Sequence, residues 1–169
     1  MNLESALRVV PNFPKEGIEF LDISPLLEDP ELFDQLISQL AEKCKSYDFD
    51  KIVAIESRGF ILGAALALKI KKGFAMVRKK GKLPGETISQ TYDLEYGTDT
   101  IEMLPTSLNK GEKVLVLDDV LATGGTAAAA CDLVKKLGGD IQATLFFVEL
   151  SFLNGREKIT EPVESLIIR

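Results

Sequence analysis

Residues 114–126 read VLVLDDVLATGGT, and no other stretch limits the fold of this chain as strongly. Val114–Leu117 is an uninterrupted aliphatic run, the pattern of a strand buried on both faces of a parallel sheet. It ends in Asp118 and Asp119 and passes through a short small-residue loop into a helix expected over Thr126 to Leu137. In open α/β sheets ligands bind beyond the carboxyl ends of the strands, so a site belongs here. Ala122, Thr123, Gly124, Gly125 and Thr126 can turn several backbone N–H groups towards one point at a helix N-terminus, and two threonine hydroxyls add donors. That is the logic of a phosphate cradle. The loop is neither G-x-x-x-x-G-K-[ST] nor G-x-G-x-x-G. Carboxylates next to a phosphate repel it unless they accept from sugar hydroxyls or help to hold Mg²⁺. A phosphate with a diol beside it describes a ribose 5-phosphate. An ordinary strand–loop–helix with an aspartate pair at the turn satisfies the backbone equally well, and physics alone leaves the two readings level.

The rest of the chain alternates in the same way. Glu31–Lys45 carries Leu32, Leu36, Leu40 and Cys44 at helical spacing, with acidic residues early and lysines late, and Asp29-Pro30 supplies its start. Lys51–Ile55 reads as a strand, and Phe60–Ile70, apolar on nearly all sides, as a helix packed against a sheet. Phe74–Val77 reads as another strand, Thr87–Met103 as a long hairpin, and 143–150 and 163–168 as two further strands. Strands alternating with helices give an α/β fold with a mostly parallel central sheet. The first thirty residues break this rhythm with Pro11, Pro14, Gly17 and Pro25 and are expected to form an irregular lobe over one end of the sheet. No repeat or linker divides the chain, so residues 1–169 are expected to form a single domain.

Composition removes several chemistries. The chain has no histidine, which excludes Ser-His and Cys-His dyads and His-containing zinc sites. Cys44 and Cys131 fall in helical stretches and are expected to be reduced, partly buried thiols. The longest apolar stretch, Phe60–Leu68, is too short to span a bilayer, and MNLESALRVV lacks the pattern of a secretory leader. A cytoplasmic protein with no membrane partner is expected. The net charge of −6 disfavours nucleic acid, which is held largely by cations. Against that acidic background the cluster Arg78, Lys79, Lys80 and Lys82 stands out.

Three motifs carry a family resemblance. VLVLDDVLATGGT resembles the signature of type I phosphoribosyltransferases that binds 5-phosphoribosyl-1-pyrophosphate (PRPP). Glu56-Ser57-Arg58-Gly59-Phe60 resembles the pyrophosphate loop of the adenine-specific members. R-K-x-G-K-L-P-G-x-T followed by Y-x-L-E-Y-G, here residues 78–97, resembles their mobile catalytic loop. The resemblance implies the type I phosphoribosyltransferase fold and transfer of the phosphoribosyl group from PRPP to adenine, with Mg²⁺ carried by PRPP and Asp118 as its candidate protein ligand. It further implies that Asp118 and Asp119 bind the ribose hydroxyls and Ala122–Thr126 the 5-phosphate. Ser57, Arg58, Arg78, Lys79 and Lys82 would hold pyrophosphate, with the basic loop supplied across a homodimer interface. Residues 1–30 would form a hood over the base, with Phe20 stacking on the purine and Val120 opposite. The Glu19 carbonyl and the Leu21 N–H would read the adenine edge. Glu95 would assist a proton at the imidazole edge, and Arg58 and Lys82 complete the candidate catalytic set. At residue 21 the family frequently carries arginine where this chain has leucine. A phosphoribosyltransferase for another base, or a PRPP-sensing RNA-binding regulator on the same fold, are the rival expectations.

Overall fold

The computed structural model describes residues 3–94 and 97–169. After a short 3-10 turn at Glu4–Ala6 come β1 (Arg8–Pro11), β2 (Glu19–Asp22), α1 (Ser24–Glu28), α2 (Pro30–Cys44), β3 (Lys51–Ile55), α3 (Arg58–Ile70) and β4 (Gly73–Lys79). Then follow β5 (Ile88–Asp93), β6 (Thr98–Met103), β7 (Lys113–Leu121), α4 (Gly125–Lys136), β8 (Asp140–Glu149), 3-10 turns at Ser151–Leu153 and Gly155–Lys158, and β9 (Val163–Ile168).

Seven strands form one sheet in the order β5-β6-β4-β3-β7-β8-β9. The run β4-β3-β7-β8-β9 is parallel, and the β5–β6 hairpin joins β4 antiparallel through Arg78↔Glu102 and Lys79↔Ile101. The chain leaves β3 for β4 on one side and resumes with β7 on the other. The topological switch point, where such sheets bind ligands, therefore lies between β3 and β7.

Strand periodicity explains the two-sided core. Successive side chains point to opposite faces, so Ile52 and Ala54 of β3 and Leu115 and Leu117 of β7 join one apolar cluster. Val53 and Ile55, with Val114 and Val116, join the other. The first face is covered by α2 and α3, the second by α4. Helix α2 starts where the sequence indicates: the Asp29 carboxylate accepts from the N–H groups of Glu31 and Leu32 at 2.9 and 3.0 Å, and Pro30 follows it.

Two expectations change. The first thirty residues are more regular than their prolines suggest: β1 and β2 pair antiparallel, Arg8 with Asp22 through Pro11 with Glu19, and α1 follows. Leu21, Ile23 and Leu26 bury into the α2–α3 core, which gives this segment its order. Strand β7 does not end at Leu117. It continues to Leu121 because β8 keeps pairing with it, Asp118↔Phe146, Val120↔Val148 and Leu121↔Glu149. Both aspartates therefore sit inside a strand, not in a turn, with their orientation fixed by the ladder.

Candidate functional site

The end of β7 and the start of α4 form the centre of the site. Gly124 occupies the N-cap position with φ +80°, and no side chain caps the helix. Its carbonyl accepts from Ala128, so the N–H groups of the first turn, from Gly125 onward, have no partner within the helix. Asp118, Val120, Leu121 and Ala122–Ala127 line a concavity of about 90 Å³ over this helix end. The left-handed φ at Gly124 is needed for the loop to turn back on itself, and it is the position where glycine carries least strain.

The two aspartates differ. Asp118 Oδ1 accepts the Asp119 N–H at 2.9 Å. Burial, together with the charge of Asp119, pushes the Asp118 carboxyl well above the usual carboxylate range. Gly59, at the start of α3, approaches so closely that a Cβ there would lie 2.8 Å from Asp118 Oδ1. Asp119 is only 5% exposed. Its Oδ2 lies 2.6 Å from Arg58 Nε, yet this buried oxygen has no well-directed hydrogen bond. A buried carboxylate oxygen in that condition suits a hydroxyl donor.

Arg58 opens α3 and reaches away from it. Its Nη1 donates to the Leu21 carbonyl at 2.9 Å, and its guanidinium lies 4.7 Å from the centre of the Phe20 ring. Phe20 also meets Phe13 edge-on at 5.2 Å. The guanidinium thus joins Phe20 and Leu21 to Asp119, while the cluster at Arg78 and Lys82 gathers elsewhere. Ser57 takes the N-cap position of α3, but its side chain makes no capping bond; its backbone is near-helical (φ −112°, ψ −38°) rather than extended. The Leu21 side chain is core, 6% exposed. Glu19 is exposed, and Val120 packs against the α2–α3 core.

The basic residues converge on Glu56, to which the motif assigns no role of its own. Glu56 Oε1 accepts from Lys82 Nζ at 2.9 Å, and its Oε2 accepts from the Lys79 N–H at 2.8 Å and Arg78 Nε at 3.3 Å. Burial raises the Glu56 carboxyl, but these donors outweigh it and hold it below its ordinary value. Lys79 Nζ lies 3.1 Å from Asp99 Oδ2. Tyr92 of β5 is a second residue whose place the sequence conceals. Its hydroxyl donates to Asp99 Oδ2 at 3.4 Å and accepts from Thr126 Oγ1 at 3.1 Å, tying the hairpin to the helix that carries the cradle. Alternating strand patterns hide such residues, because a tyrosine on a hairpin face reads first as packing. Glu95 lies outside the described residues.

Among the described residues no three or more His, Cys, Asp or Glu cluster as a metal site. A divalent ion here is limited to one or two carboxylates plus ligand oxygens, which is the usual mode for Mg²⁺. Asp118, which lines the concavity beside the start of α4, offers a carboxyl oxygen that fits that mode. Among the described residues no helix is long and apolar enough to cross a membrane.

Comparison with known proteins bears on this arrangement. The family model described as phosphoribosyl transferase domain matches residues 24–158. The chain is 54% identical over 161 residues to an adenine phosphoribosyltransferase of Pseudothermotoga lettingae, covering 95% of both chains. It superposes on the crystal structure of an adenine phosphoribosyltransferase from Thermoanaerobacter pseudethanolicus with a TM-score of 0.97 and 45% identity, covering 99% of this chain and 98% of that one. Against the Saccharomyces cerevisiae adenine phosphoribosyltransferase, complexed with an imino-altritol bisphosphate and adenine, the TM-score is 0.90 at 45% identity, over 95% and 94% of the two chains.

Proposed function

The chain belongs to the phosphoribosyltransferase family, and from that premise we infer that it transfers the 5-phosphoribosyl group of PRPP to adenine, giving AMP and pyrophosphate in purine salvage. The observation that carries the reading is the coincidence at the switch point. An uncapped helix N-terminus, a buried aspartate oxygen lacking a directed partner and an arginine reaching across to β2 all converge there.

Each part of the site has a task in this reaction. The first-turn amides of α4 and the Thr123 and Thr126 hydroxyls hold the 5-phosphate. Asp118 and Asp119 accept from the ribose hydroxyls, and Asp119 Oδ2, already beside Arg58, gains a well-directed donor. A purine ring nitrogen attacks the anomeric carbon while the bond from that carbon to the pyrophosphate oxygen breaks. Positive charge grows on the ribosyl ring, and negative charge grows on the departing pyrophosphate. The amides at Ser57 and Arg58 and the side chains of Arg58, Arg78, Lys79 and Lys82 stabilise the latter. Asp118 would help to hold a Mg²⁺ ion brought by PRPP, and that ion would neutralise further charge on the pyrophosphate. Because Glu56 and Asp99 already hold Lys82, Arg78 and Lys79, pyrophosphate exchanges one set of anionic partners for another. Closure of residues 78–97 over the site excludes water from the ribosyl cation, and Glu95 assists proton transfer at the imidazole edge.

Adenine selectivity is assigned to the free edge of β2. In an extended strand the N–H and C=O of one residue point to the same side, as do those two residues away. Since the Leu21 carbonyl faces Arg58, the Leu21 N–H and the Glu19 carbonyl face that side as well. An acceptor and a donor at that spacing match the adenine edge, with Phe20 and Val120 as the apolar faces. Hypoxanthine and guanine present the opposite pattern, and each buried mismatch costs roughly 1–3 kcal/mol.

The reaction is assigned to the cytoplasm and to a dimer of the chain. The exposed apolar residues Ile61 and Leu68 of α3 and Met76 of β4 offer surface for a second copy to cover. The direct test is AMP formation from adenine, PRPP and Mg²⁺, with hypoxanthine, guanine, xanthine and orotate in parallel. Adenine-only turnover supports the reading. Turnover with another base instead would move the assignment to that base.

A further inference from the structure

A segment distant in sequence abuts the cradle loop. Gly124 and Gly155 cross backbone to backbone: a Cβ on Gly124 would lie 2.2 Å from the Gly155 carbonyl oxygen, and a Cβ on Gly155 would lie 2.1 Å from the Ala122 carbonyl oxygen. Neither contact leaves room for a methyl group, and the atoms met are backbone, which cannot swing aside. Gly155 belongs to the segment after β8, distant in sequence from the loop it presses upon. That segment is fastened by its next residue. Arg156 donates from Nε and Nη2 to the two carboxylate oxygens of Glu149 at 2.9 and 2.5 Å, and from Nη1 to the Val163 carbonyl at 2.8 Å. Glu149 is 5% exposed and also accepts from Ser165 Oγ at 2.7 Å. A two-pronged arginine–carboxylate pair fixes direction as well as distance.

We infer that Gly155, held in place by the Arg156–Glu149 fork, is a positioning residue that sets the curvature of Ala122–Thr126 and so the aim of its amides at the 5-phosphate. This rests on the reading of that loop as the phosphate cradle. The physical reason is that an anion site made of backbone N–H groups has no side chains to adjust. Its geometry is that of the main chain, and the main chain here abuts Gly155. Adding one methyl group at Gly155 must displace the Ala122 carbonyl, and with it the loop. Releasing Arg156 frees the buttress without adding bulk. The consequence is confined to the phosphate end of the site, because Arg58, Leu21 and Phe20, on the adenine side, touch none of these residues in the contacts described above.

The test uses the full chain with Gly155→Ala and Arg156→Gln. Thermal unfolding is recorded first, and then steady-state KM for PRPP and for adenine and calorimetric binding of ribose 5-phosphate. A folded variant with PRPP KM and ribose 5-phosphate Kd raised about 10- to 100-fold, and adenine KM within about twofold, is the expected result. Should Gly155→Ala fail to fold, Arg156→Gln carries the same expectation at the lower end, and Arg156→Lys, which keeps one donor to Glu149, should recover part of the loss. Equal rises in both KM values, or unchanged ribose 5-phosphate binding in a folded variant, overturns the inference. Wild-type protein that binds ribose 5-phosphate but turns over no adenine overturns the proposed activity and leaves the buttress standing. Wild-type protein that does not bind ribose 5-phosphate overturns both.

Discussion

Arg58 connects Leu21 to Asp119: one nitrogen donates to the Leu21 carbonyl at 2.9 Å, and another lies 2.6 Å from Asp119 Oδ2. A single side chain thereby ties the strand assigned to adenine to the strand assigned to ribose. Arg58→Ala is expected to lower kcat/KM by about 10²- to 10³-fold, the range for losing a fixed charge-stabilising donor. Arg58→Lys keeps the charge but has no fork to reach two acceptors at once. It is expected to recover only part of the activity. Steady-state kinetics decide this, and an alanine variant within threefold of wild type would remove Arg58 from the machinery.

Asp118 shows the cost of such a site. Burial and the neighbouring Asp119 raise its carboxyl well above the ordinary range. Between the ordinary value and the raised one, the native protein holds a proton that the unfolded chain releases, so stability falls as pH rises through that window. Asp118→Asn retains an oxygen able to accept the Asp119 N–H and cannot ionise. It is expected to raise Tm by about 2–4 °C at neutral pH while lowering activity sharply. The gain should shrink as pH falls towards the ordinary carboxylate value, because the unfolded wild-type chain then holds the proton as well. Calorimetry at several pH values checks this, and a lower Tm for the variant at neutral pH contradicts it.

The legibility of this chain follows from how local each feature is. Val114–Leu117 announces a buried strand and Ala122–Thr126 an uncapped helix start, because neighbouring residues alone decide them. The strand order, with β7 beside β3, is not local, and neither is the continuation of β7 to Leu121, which β8 imposes. Glu56 is not legible in this way, because a single glutamate at a turn reads as surface, and only folding brings Lys82, Arg78 and the Lys79 N–H to it. Gly155 is hidden for a similar reason. A glycine after a strand reads as a turn, and its contact with Gly124 exists only in three dimensions. Arg58 is legible from its motif as a pyrophosphate ligand, but its reach to Leu21 depends on an ordered β1–β2 pair that the prolines of this segment conceal.

Tyr92 links the hairpin to the cradle, with Thr126 Oγ1 donating to its hydroxyl at 3.1 Å. Tyr92→Phe keeps the ring and removes one polar atom. A hydrogen bond of this kind contributes about 0.5–1.5 kcal/mol, so the PRPP KM is expected to rise by up to about tenfold with the adenine KM unchanged. The hydroxyl also meets Asp99, the partner of Lys79, so the variant should loosen the base of the basic loop. Faster tryptic cleavage within 78–97 reads this out, and cleavage at the wild-type rate with an unchanged PRPP KM would show the link to be incidental.

The two thiols give a probe of α4 itself. Burial pushes both Cys44 and Cys131 up to about 12, so neither carries appreciable thiolate near neutral pH. Native protein is expected to resist iodoacetamide at both positions, and unfolded protein to react at both. Cys131 lies in α4, whose N-terminus is assigned to the 5-phosphate, whereas Cys44 closes α2 on the opposite face of the sheet. In mild denaturant, labelling proceeds through local opening, and a ligand that binds only the closed helix slows that opening in proportion to its saturation. Ribose 5-phosphate should therefore protect Cys131 more than Cys44, as read by mass spectrometry of the labelled peptides. Equal protection at the two sites would mean that labelling passes through global unfolding. Protection of Cys44 alone would place the phosphate somewhere other than the start of α4.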